Sequence, residues 1–224
     1  MLKLFDLCNL LRMKSNIPKH FIPVTRNSGK YYETALAKHI IYDESERKDD
    51  AEQIYQFMIR KFHTNLTVWI SFLLFYMKNG QIENGRKLFV KALAAINKQQ
   101  HIDLISKFGQ FEFCYGDCEN GKTLFEKLLA LYWGRLDKWS IYIDMLIKYT
   151  LNDNDNHDDS IEFIRNIFER LLTFKFSPHK MRFIFKKYYD FEMKYSSSSD
   201  NGELLERLKQ KAAEYVEHGT FFPN

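Results

Sequence analysis

The chain has 224 residues, of which 45% are apolar and 16% aromatic, and its formal net charge is +4. Its nine glycines and four prolines are about half the usual share, too few for the many turns of a β-sandwich or for the phosphate loops of a doubly wound α/β domain. So high an apolar fraction with so little net charge also excludes an intrinsically disordered chain.

The N-terminal segment begins with the apolar-aromatic pair Leu4-Phe5, which matches the second helix of the repeat described below. We therefore predict that residues 1–30 hold a partial repeat helix and an inserted loop. Residues 31–218 should form the repeat array, and residues 219–224 a tail. The first thirty residues carry six Lys or Arg against a single acidic residue, and a mitochondrial presequence is the alternative explanation for that excess.

Apolar-aromatic pairs then recur along the chain in a constant setting. The four pairs are Ile54-Tyr55, Leu88-Phe89, Leu124-Phe125 and Ile167-Phe168. Each is followed three residues later by a second apolar pair, which places both on one face of a helix. The intervals between the aromatic members are 34, 36 and 43 residues. A period near 34 residues is typical of stacked two-helix repeats.

A ladder of large apolar residues, three apart, precedes each of the three later pairs, recurs once more in the last unit, and predicts the first helix of a unit. The ladders are Trp69, Phe72 and Phe75; Ile105, Phe108 and Phe111; Trp139, Tyr142 and Met145; and Phe185, Tyr188 and Phe191. Each unit is therefore predicted as two amphipathic helices whose large aromatic side chains face one another between them.

Turn residues mark the predicted helix boundaries. Asn79-Gly80 and Gly116-Asp117 should end helices with glycine in the left-handed conformation, and Asp117 should cap the helix that follows. The fourth unit is lengthened by a solvated loop, Asn152–Asp159, which accounts for the interval of 43 residues.

The last unit follows the same plan. Pro178 opens its first helix, and Glu203–Val216 supplies the partner helix after a loop at Ser196–Gly202. The result is an all-α chain of about eleven helices, arranged as a right-handed α-solenoid of antiparallel hairpins whose stacking buries the aromatic faces. The signature residues expected in its core are Trp69, Phe72, Phe89, Phe108, Phe125, Trp139, Tyr142, Phe168, Phe185 and Tyr188.

The period and the aromatic-rich helix pair resemble the half-a-tetratricopeptide (HAT) repeat. In that repeat the first helix often carries Glu seven residues after its Trp, and the second carries a basic residue before its apolar-aromatic pair. The Glu is matched by Glu112 and Glu192 and replaced by Tyr76 and Leu146; the basic residue is matched by Arg86, Lys122 and Arg165 and replaced by Glu52.

Four segments resemble, in the same order, the C-terminal array of the ribosomal RNA processing protein five family, called programmed cell death protein eleven in animals. The segments are His101–Leu129, Arg135–Tyr149, Ser177–Tyr195 and Lys211–Glu217. Members of that family are long nucleolar proteins with S1 RNA-binding domains ahead of the helical array, and no S1-like pattern occurs in this sequence.

The resemblance implies a non-catalytic protein-interaction scaffold in pre-ribosomal RNA processing and small ribosomal subunit biogenesis, placed in the nucleus and nucleolus. Its implied partners are protein components of small-subunit pre-ribosomal particles, with contact to pre-rRNA indirect. Two alternatives stay open. One is a HAT-repeat scaffold of splicing or mRNA 3′-end processing, and the other is a directly RNA-binding module.

Patterns typical of enzymes and metal sites are missing from the sequence. The seven His form no i, i+4 pair and have no Cys at metal-ligand spacing, so Cys114 and Cys118 are expected to be structural thiols. The aspartates of the Asn152–Asp159 loop lack the ligand order of a calcium loop. We therefore expect no catalytic residue, cofactor, metal ion, membrane span or small-molecule substrate.

A basic cluster is the remaining feature, with a balance of +4 over the 21 residues from Phe174 to Lys194. The candidate partner or RNA surface consists of Lys180, Arg182, Lys186, Lys187 and Lys194. Such a cluster attracts RNA phosphates or an acidic protein segment, and the alternative is an ordinary solvated helix face. The apolar spacing predicts that Lys180, Lys187 and Lys194 point away from the packed side.

Overall fold

A computed structural model describes residues 48–151, 157–174, 176–195 and 201–219. That part of the chain forms nine α-helices and contains no strand. The helices are α1 Lys48–Lys61, α2 Leu66–Lys78, α3 Ile82–Ala95, α4 Lys98–Tyr115, α5 Cys118–Leu131, α6 Leu136–Thr150, α7 His157–Thr173, α8 Pro178–Tyr195 and α9 Asn201–Gly219. The other two predicted helices, including the one at Leu4-Phe5, belong to residues 1–47 and lie outside the described residues.

Consecutive helices pack against each other throughout this part of the chain, from α1 on α2 to α8 on α9. In addition, α2 packs on α4 and α4 packs on α6, so the first helices of neighbouring units also touch. Packing of unit upon adjacent unit is what defines a solenoid. The all-α solenoid of stacked hairpins predicted from the sequence is therefore confirmed.

Stacked aromatic rings join successive units. The four pairs, with ring centroids 4.2–5.1 Å apart, are Tyr55–Phe72, Phe89–Phe108, Phe125–Tyr142 and Phe168–Tyr188. Each pair links the second helix of one unit to the first helix of the next, whereas the sequence predicted rings facing each other within a unit. Helical spacing fixes the face on which a ring lies, but it does not fix which neighbouring helix that face meets.

The buried side chains form two apolar cores that meet at α4. Leu104 and Phe108 belong to the core of the first four helices, whereas Phe113, one turn further along, belongs to the core that continues to α9. Ile105 is half-buried and packs against both cores. One helix therefore connects the two halves of the array.

The two predicted glycine turns differ in their physical basis. Gly80 has φ of +73°, the left-handed conformation expected from the sequence. Gly116 has φ of −111°, so the expected left-handed conformation is wrong there. Glycine is required at that position because a Cβ atom would collide with the carboxylate of Glu112, which is buried and held in place by Arg86. Asp117 caps α5 as predicted, accepting a 3.0 Å hydrogen bond from the backbone N–H of Glu119.

Two predicted helix boundaries lie a few residues from the observed ones. The helix after the Asn/Asp-rich loop, α7, already begins at His157 and carries Asp158 and Asp159 in its first turn, where negative charge is favoured by the helix dipole. Helix α9 begins at Asn201 and ends at Gly219, so it is longer than the predicted Glu203–Val216. Pro178 opens α8 as expected.

Candidate protein-interaction surface

Helix α8 carries most of the predicted basic surface. Its buried side holds Met181, Ile184, Tyr188, Phe191 and Glu192. On the opposite side Arg182, Lys186 and Lys194 are exposed. Lys180 is exposed as well, but it lies about 160° around the helix from Arg182, and its ammonium group is 5.8 Å from the ring of Phe176. The structure therefore brings three of the five predicted cations onto one accessible side of a helix, where they can meet an anionic partner without disturbing the core.

Lys187 lies elsewhere, and the expectation that it points away from the packed side is wrong. Its ammonium group donates to the hydroxyl of Ser140 at 2.6 Å and lies 2.8 Å from a carboxylate oxygen of Asp144. Both partners belong to α6, so this side chain ties α8 to the preceding first helix. Sequence spacing could not show the tie, because the two acceptors are more than forty residues away.

Two apolar residues complete the exposed side of α8, and the sequence analysis missed them. Phe183 and Met193 are 45% and 55% exposed. They lie among Arg182, Lys186 and Lys194, so the surface offers both apolar contact and positive charge. Combinations of this kind are typical of protein interfaces, in which aromatic and Met side chains are enriched. The sequence could have shown that they are exposed, because both lie between ladder residues, at positions that face away from the core.

A repeated clamp holds α8 on its neighbour. The guanidinium of Arg165, on α7, donates to both carboxylate oxygens of the buried Glu192 at 2.8 and 2.9 Å. The bidentate bond raises the pKa of Arg165 above its ordinary value, which keeps the guanidinium charged. Arg86 and Glu112 form the same arrangement between α3 and α4, at 2.9 and 3.0 Å. The Arg and Glu residues that match the HAT repeat at these positions thus form ion pairs between neighbouring helices.

A second exposed group lies in the turn between α5 and α6. We call Leu131, Tyr132 and Trp133 the turn patch; they are 76%, 38% and 49% exposed. The backbone carbonyl of Trp133 accepts a 2.8 Å hydrogen bond from the indole of the buried Trp139. The ring of Trp133 stacks on that of Phe174 with a centroid distance of 5.4 Å. The sequence analysis did not identify the patch, because its residues continue an apolar helix and do not form a ladder with a spacing of three.

The predicted signature residues lie in the interior, with one exception. Nine are buried, and they are Trp69, Phe72, Phe89, Phe108, Phe125, Trp139, Tyr142, Phe168 and Tyr188. Phe185 is only half-buried and packs edge-on against Tyr215 of α9. These residues therefore build the framework, whereas α8 and the turn patch present exposed apolar side chains to solvent.

The described residues contain no cluster of His, Cys, Asp or Glu able to hold a metal ion. Cys114 is exposed and its sulfur lies 3.0 Å from the hydroxyl of Tyr149, while Cys118 is half-buried. A cleft lined by Glu169, Tyr188 and Lys211, among others, has a volume of about 30 Å³, which is close to that of one water molecule. It is too small for a substrate.

Among the described helices none has both the length and the apolar character needed to cross a membrane. What these surfaces offer chemically is recognition, through positive charge, exposed aromatic rings and aliphatic side chains on a rigid framework.

The chain is similar to a group of proteins that share one name. It is 36% identical over 177 residues to the mouse protein RRP5 homolog, which covers 79% of this chain. It is 34% identical over 168 residues to the rRNA biogenesis protein rrp5 of Schizosaccharomyces pombe and 31% identical over 212 residues to rRNA biogenesis protein RRP5 of Arabidopsis thaliana, covering 75% and 93% of this chain. The matched region spans 9–10% of the length of these relatives. No protein-family model matches the chain.

Proposed function

This chain is an RRP5-family region, and we propose that it acts as a non-catalytic protein-interaction scaffold in pre-rRNA processing and small ribosomal subunit biogenesis. The observation that carries the proposal is the exposed side of α8, where three cations and two apolar residues stand on a helix clamped into the array. A scaffold needs a rigid element that presents such groups, and the solenoid supplies it.

The proposed partners are protein components of small-subunit precursor particles, in the nucleolus. Pre-rRNA contact is then indirect, through those proteins. Phe183 and Met193 support a protein partner in particular, because exposed apolar side chains gain more from apolar contacts than from phosphates. Arg182, Lys186 and Lys194 steer an acidic segment of such a partner to the same side of the helix.

The test is a charge reversal on α8 with a matched control elsewhere. The variant Arg182→Glu, Lys186→Glu, Lys194→Glu changes three exposed side chains and leaves the Lys187 tie intact. The control, Lys87→Glu, Lys91→Glu, Lys98→Glu, makes the same change of charge at three exposed lysines of α3 and α4. Exposed charges contribute only about ±0.5 kcal/mol to stability, so both variants should melt like the wild type.

The readout is co-purification of tagged chain with small-subunit precursors, measured through their proteins and their pre-rRNA. We expect the α8 variant to lose at least tenfold of the precursor signal and the control to retain it. Equal retention by both variants would remove α8 from the proposal. Absence of any precursor from the wild-type sample would overturn the proposed function as a whole.

Direct RNA binding is distinguished from the protein-scaffold function by measuring the affinity of the purified chain for single-stranded RNA over a series of salt concentrations. RNA contact predicts an affinity that falls steeply as salt rises, since phosphate binding releases counterions. A protein scaffold predicts no binding even at low salt, together with precursor co-purification that survives nuclease treatment.

A further inference from the structure

We propose that the turn patch, Leu131, Tyr132 and Trp133, is a docking site for a protein segment that carries apolar side chains flanked by Asp or Glu. This inference rests on the proposed function, since it names a class of partner for the scaffold. It concerns a different surface from the exposed side of α8.

The apolar character of the patch is not required by the fold, because another turn of the same construction lacks it. The turn between α1 and α2 repeats two main-chain bonds of the α5–α6 turn: Phe62 N to Met58 O matches Tyr132 N to Leu128 O, and Asn65 N to Phe62 O matches Arg135 N to Tyr132 O. The indole of Trp69 donates to the carbonyl of residue 63 at 2.8 Å, as that of Trp139 donates to residue 133.

The equivalent side chains nevertheless differ in chemistry. Lys61 stands where the patch has Leu131, and His63 stands where it has Trp133. Both Lys61 and His63 are exposed, so the α1–α2 turn presents polar groups to solvent at these two positions. The same backbone is therefore compatible with charged and polar side chains, and burial within this chain does not explain a 76% exposed Leu131.

The patch is also held in place before any partner arrives. Trp133 stacks on Phe174 at 5.4 Å, and Phe174 in turn contacts the buried Trp139 at 5.9 Å. A Trp fixed on one face and half exposed on the other loses little rotamer freedom on binding. Residues of this type are typical of interface hot spots.

The charges around the patch determine which residues are favoured next to the apolar residues of the partner segment. The nearby carboxylates are already engaged: Asp137 binds Arg135 at 2.8 Å, and Glu126 binds Arg170 at 2.9 Å. The hydrogen bond from Arg135 lowers the pKa of Asp137 to about 2, so this pair is ionised and internally neutral at ordinary pH.

The cations at the rim have no such carboxylate partner. Lys127 lies one turn before Leu131 on α5, and the Lys180 ammonium lies 5.8 Å from the ring of Phe176, which contacts Trp133 at 6.2 Å. Within the described residues neither lysine forms an ion pair. An acidic residue beside an apolar one therefore complements the rim, whereas a basic flank is repelled.

Single-stranded RNA fits the patch less well. RNA-binding platforms present successive aromatic faces on which bases stack. The most exposed residue here is Leu131, an aliphatic side chain without a face for stacking, and one face of Trp133 is already covered by Phe174. Aliphatic and aromatic side chains of a protein segment cover both residues, so protein is the partner class that the patch favours.

The first experiment places a photo-crosslinking amino acid at position 131 of the full chain in cells. The same substitution at Val90, which is 66% exposed on α3 and remote in the chain, is the control. We expect position 131 to crosslink a protein segment in which apolar residues are flanked by Asp or Glu, and position 90 not to do so. A crosslink to RNA, to a second copy of this chain or to a segment without acidic flanks, or no crosslink at all, overturns the proposal.

The second experiment measures binding of the crosslinked segment, made as a synthetic peptide, to purified variants. Leu131→Lys with Trp133→His converts the patch to the residues of the α1–α2 turn, and Val90→Lys is the matched control. We expect at least a tenfold loss of affinity in the double variant and less than a twofold change in the control. Peptide with its acidic residues replaced by Lys should bind at least tenfold more weakly.

A change of fold is excluded by melting the double variant, and Trp133→Phe should keep most of the affinity. Equal binding by wild type and double variant overturns the docking site. The two proposals fail separately: a double variant that still co-purifies with small-subunit precursors removes the patch alone. A wild-type chain without precursors, but with peptide binding that depends on the patch, removes only the ribosomal assignment.

Discussion

At the scale of single residues, the clamp between neighbouring helices is made by different residue pairs at equivalent positions. Arg86 with Glu112 is a bidentate ion pair. At the equivalent positions of the first two units the donor and the acceptor change places. Glu52 stands where the Arg is expected, Tyr76 stands where the Glu is expected, and the hydroxyl of Tyr76 donates to Glu52 at 2.7 Å. The two departures from the HAT pattern thus compensate each other. Between the third and fourth units, where Leu146 of α6 replaces the acid, Lys122 of α5 instead binds Glu119 at 2.7 Å.

Removing one member of a clamp should destabilise the fold more than removing both. Arg86→Met leaves the carboxylate of Glu112, which is 2% exposed, without its partner. Breaking a buried pair costs about 3–5 kcal/mol, and we expect about 2–4 kcal/mol here because the guanidinium is partly solvated. The double variant Arg86→Met, Glu112→Met should recover at least about 1 kcal/mol in denaturant melts. A double variant less stable than the single one contradicts this account of the clamp.

Buried tyrosines should make the fold sensitive to high pH. Burial, with help from the neighbouring Glu126 and Glu169 carboxylates respectively, raises the pKa of Tyr142 and of Tyr188 well above 10. Their contribution to stability is therefore fully present below the unfolded-state pKa of about 10 and is lost as the pH rises above it.

We expect the tyrosinate absorbance of the folded chain to rise in two stages, with these two hydroxyls ionising only as the chain unfolds. Chain held in denaturant is the control and should titrate in a single stage near pH 10. Tyr142→Phe with Tyr188→Phe should reduce the loss of stability above that pH. A folded titration identical to that in denaturant would argue against the burial of these groups.

Among the elements, α8 combines two tasks on one helix. One side is fixed by the Glu192 clamp and by Lys187, and the other side presents Phe183, Met193 and three cations. The charge that the sequence shows as one basic run is therefore divided between packing and presentation. Adjacent lysines fall on different sides because successive residues on a helix are about 100° apart.

Lys186 and Lys187 allow a test of this division with neighbouring residues of the same type. Lys187→Ala removes the bonds to Ser140 and Asp144, which should destabilise the chain by about 1–2 kcal/mol, as for loss of a charge-assisted hydrogen bond. Lys186→Ala should change stability by less than about 0.5 kcal/mol. Chemical denaturation of the two single variants measures the difference. The same effect from both would mean that α8 and α6 are not tied by this side chain.

Across the whole molecule, two apolar cores share α4, and no clamp joins residues 122 and 146 in the second core. The stability of stacked repeats is approximately a sum of unit and interface contributions, so damage in one unit should spread mainly to its neighbours. Trp139 lies deep in the second core, at 1% exposure, with the guanidinium of Arg170 4.8 Å from its ring centre.

Trp139→Ala should cost about 3–5 kcal/mol, as expected for truncation of a core aromatic residue. In hydrogen exchange, amides of α6 and α7 should lose protection by a larger factor than those of α1 and α2. Phe72→Ala, in the first core, should give the reverse order. Equal loss of protection along the chain in both variants would show that the two cores unfold as one unit.

The sequence by itself determined the helices and the repeat. Apolar spacing of three and four residues dictates which face of each helix is buried, and Pro178 and Asp117 mark helix starts through their own backbone and side-chain chemistry. These signals act within a few residues along the chain, so they can be read without knowing the fold. The burial of the faces that carry the rings and the exposure of Arg182, Lys186 and Lys194 follow from the same periodicity.

Tertiary structure decided which faces meet. It placed the ring stacks between units, turned Lys187 onto α6, made Gly116 necessary through the Glu112 carboxylate, and left Leu131 and Trp133 exposed in a turn that elsewhere carries Lys61 and His63. Partners in these contacts lie tens of residues apart, and the free energy of each depends on a neighbour that local spacing does not specify. Periodicity fixes the direction of a side chain on its own helix, whereas packing alone fixes what it touches.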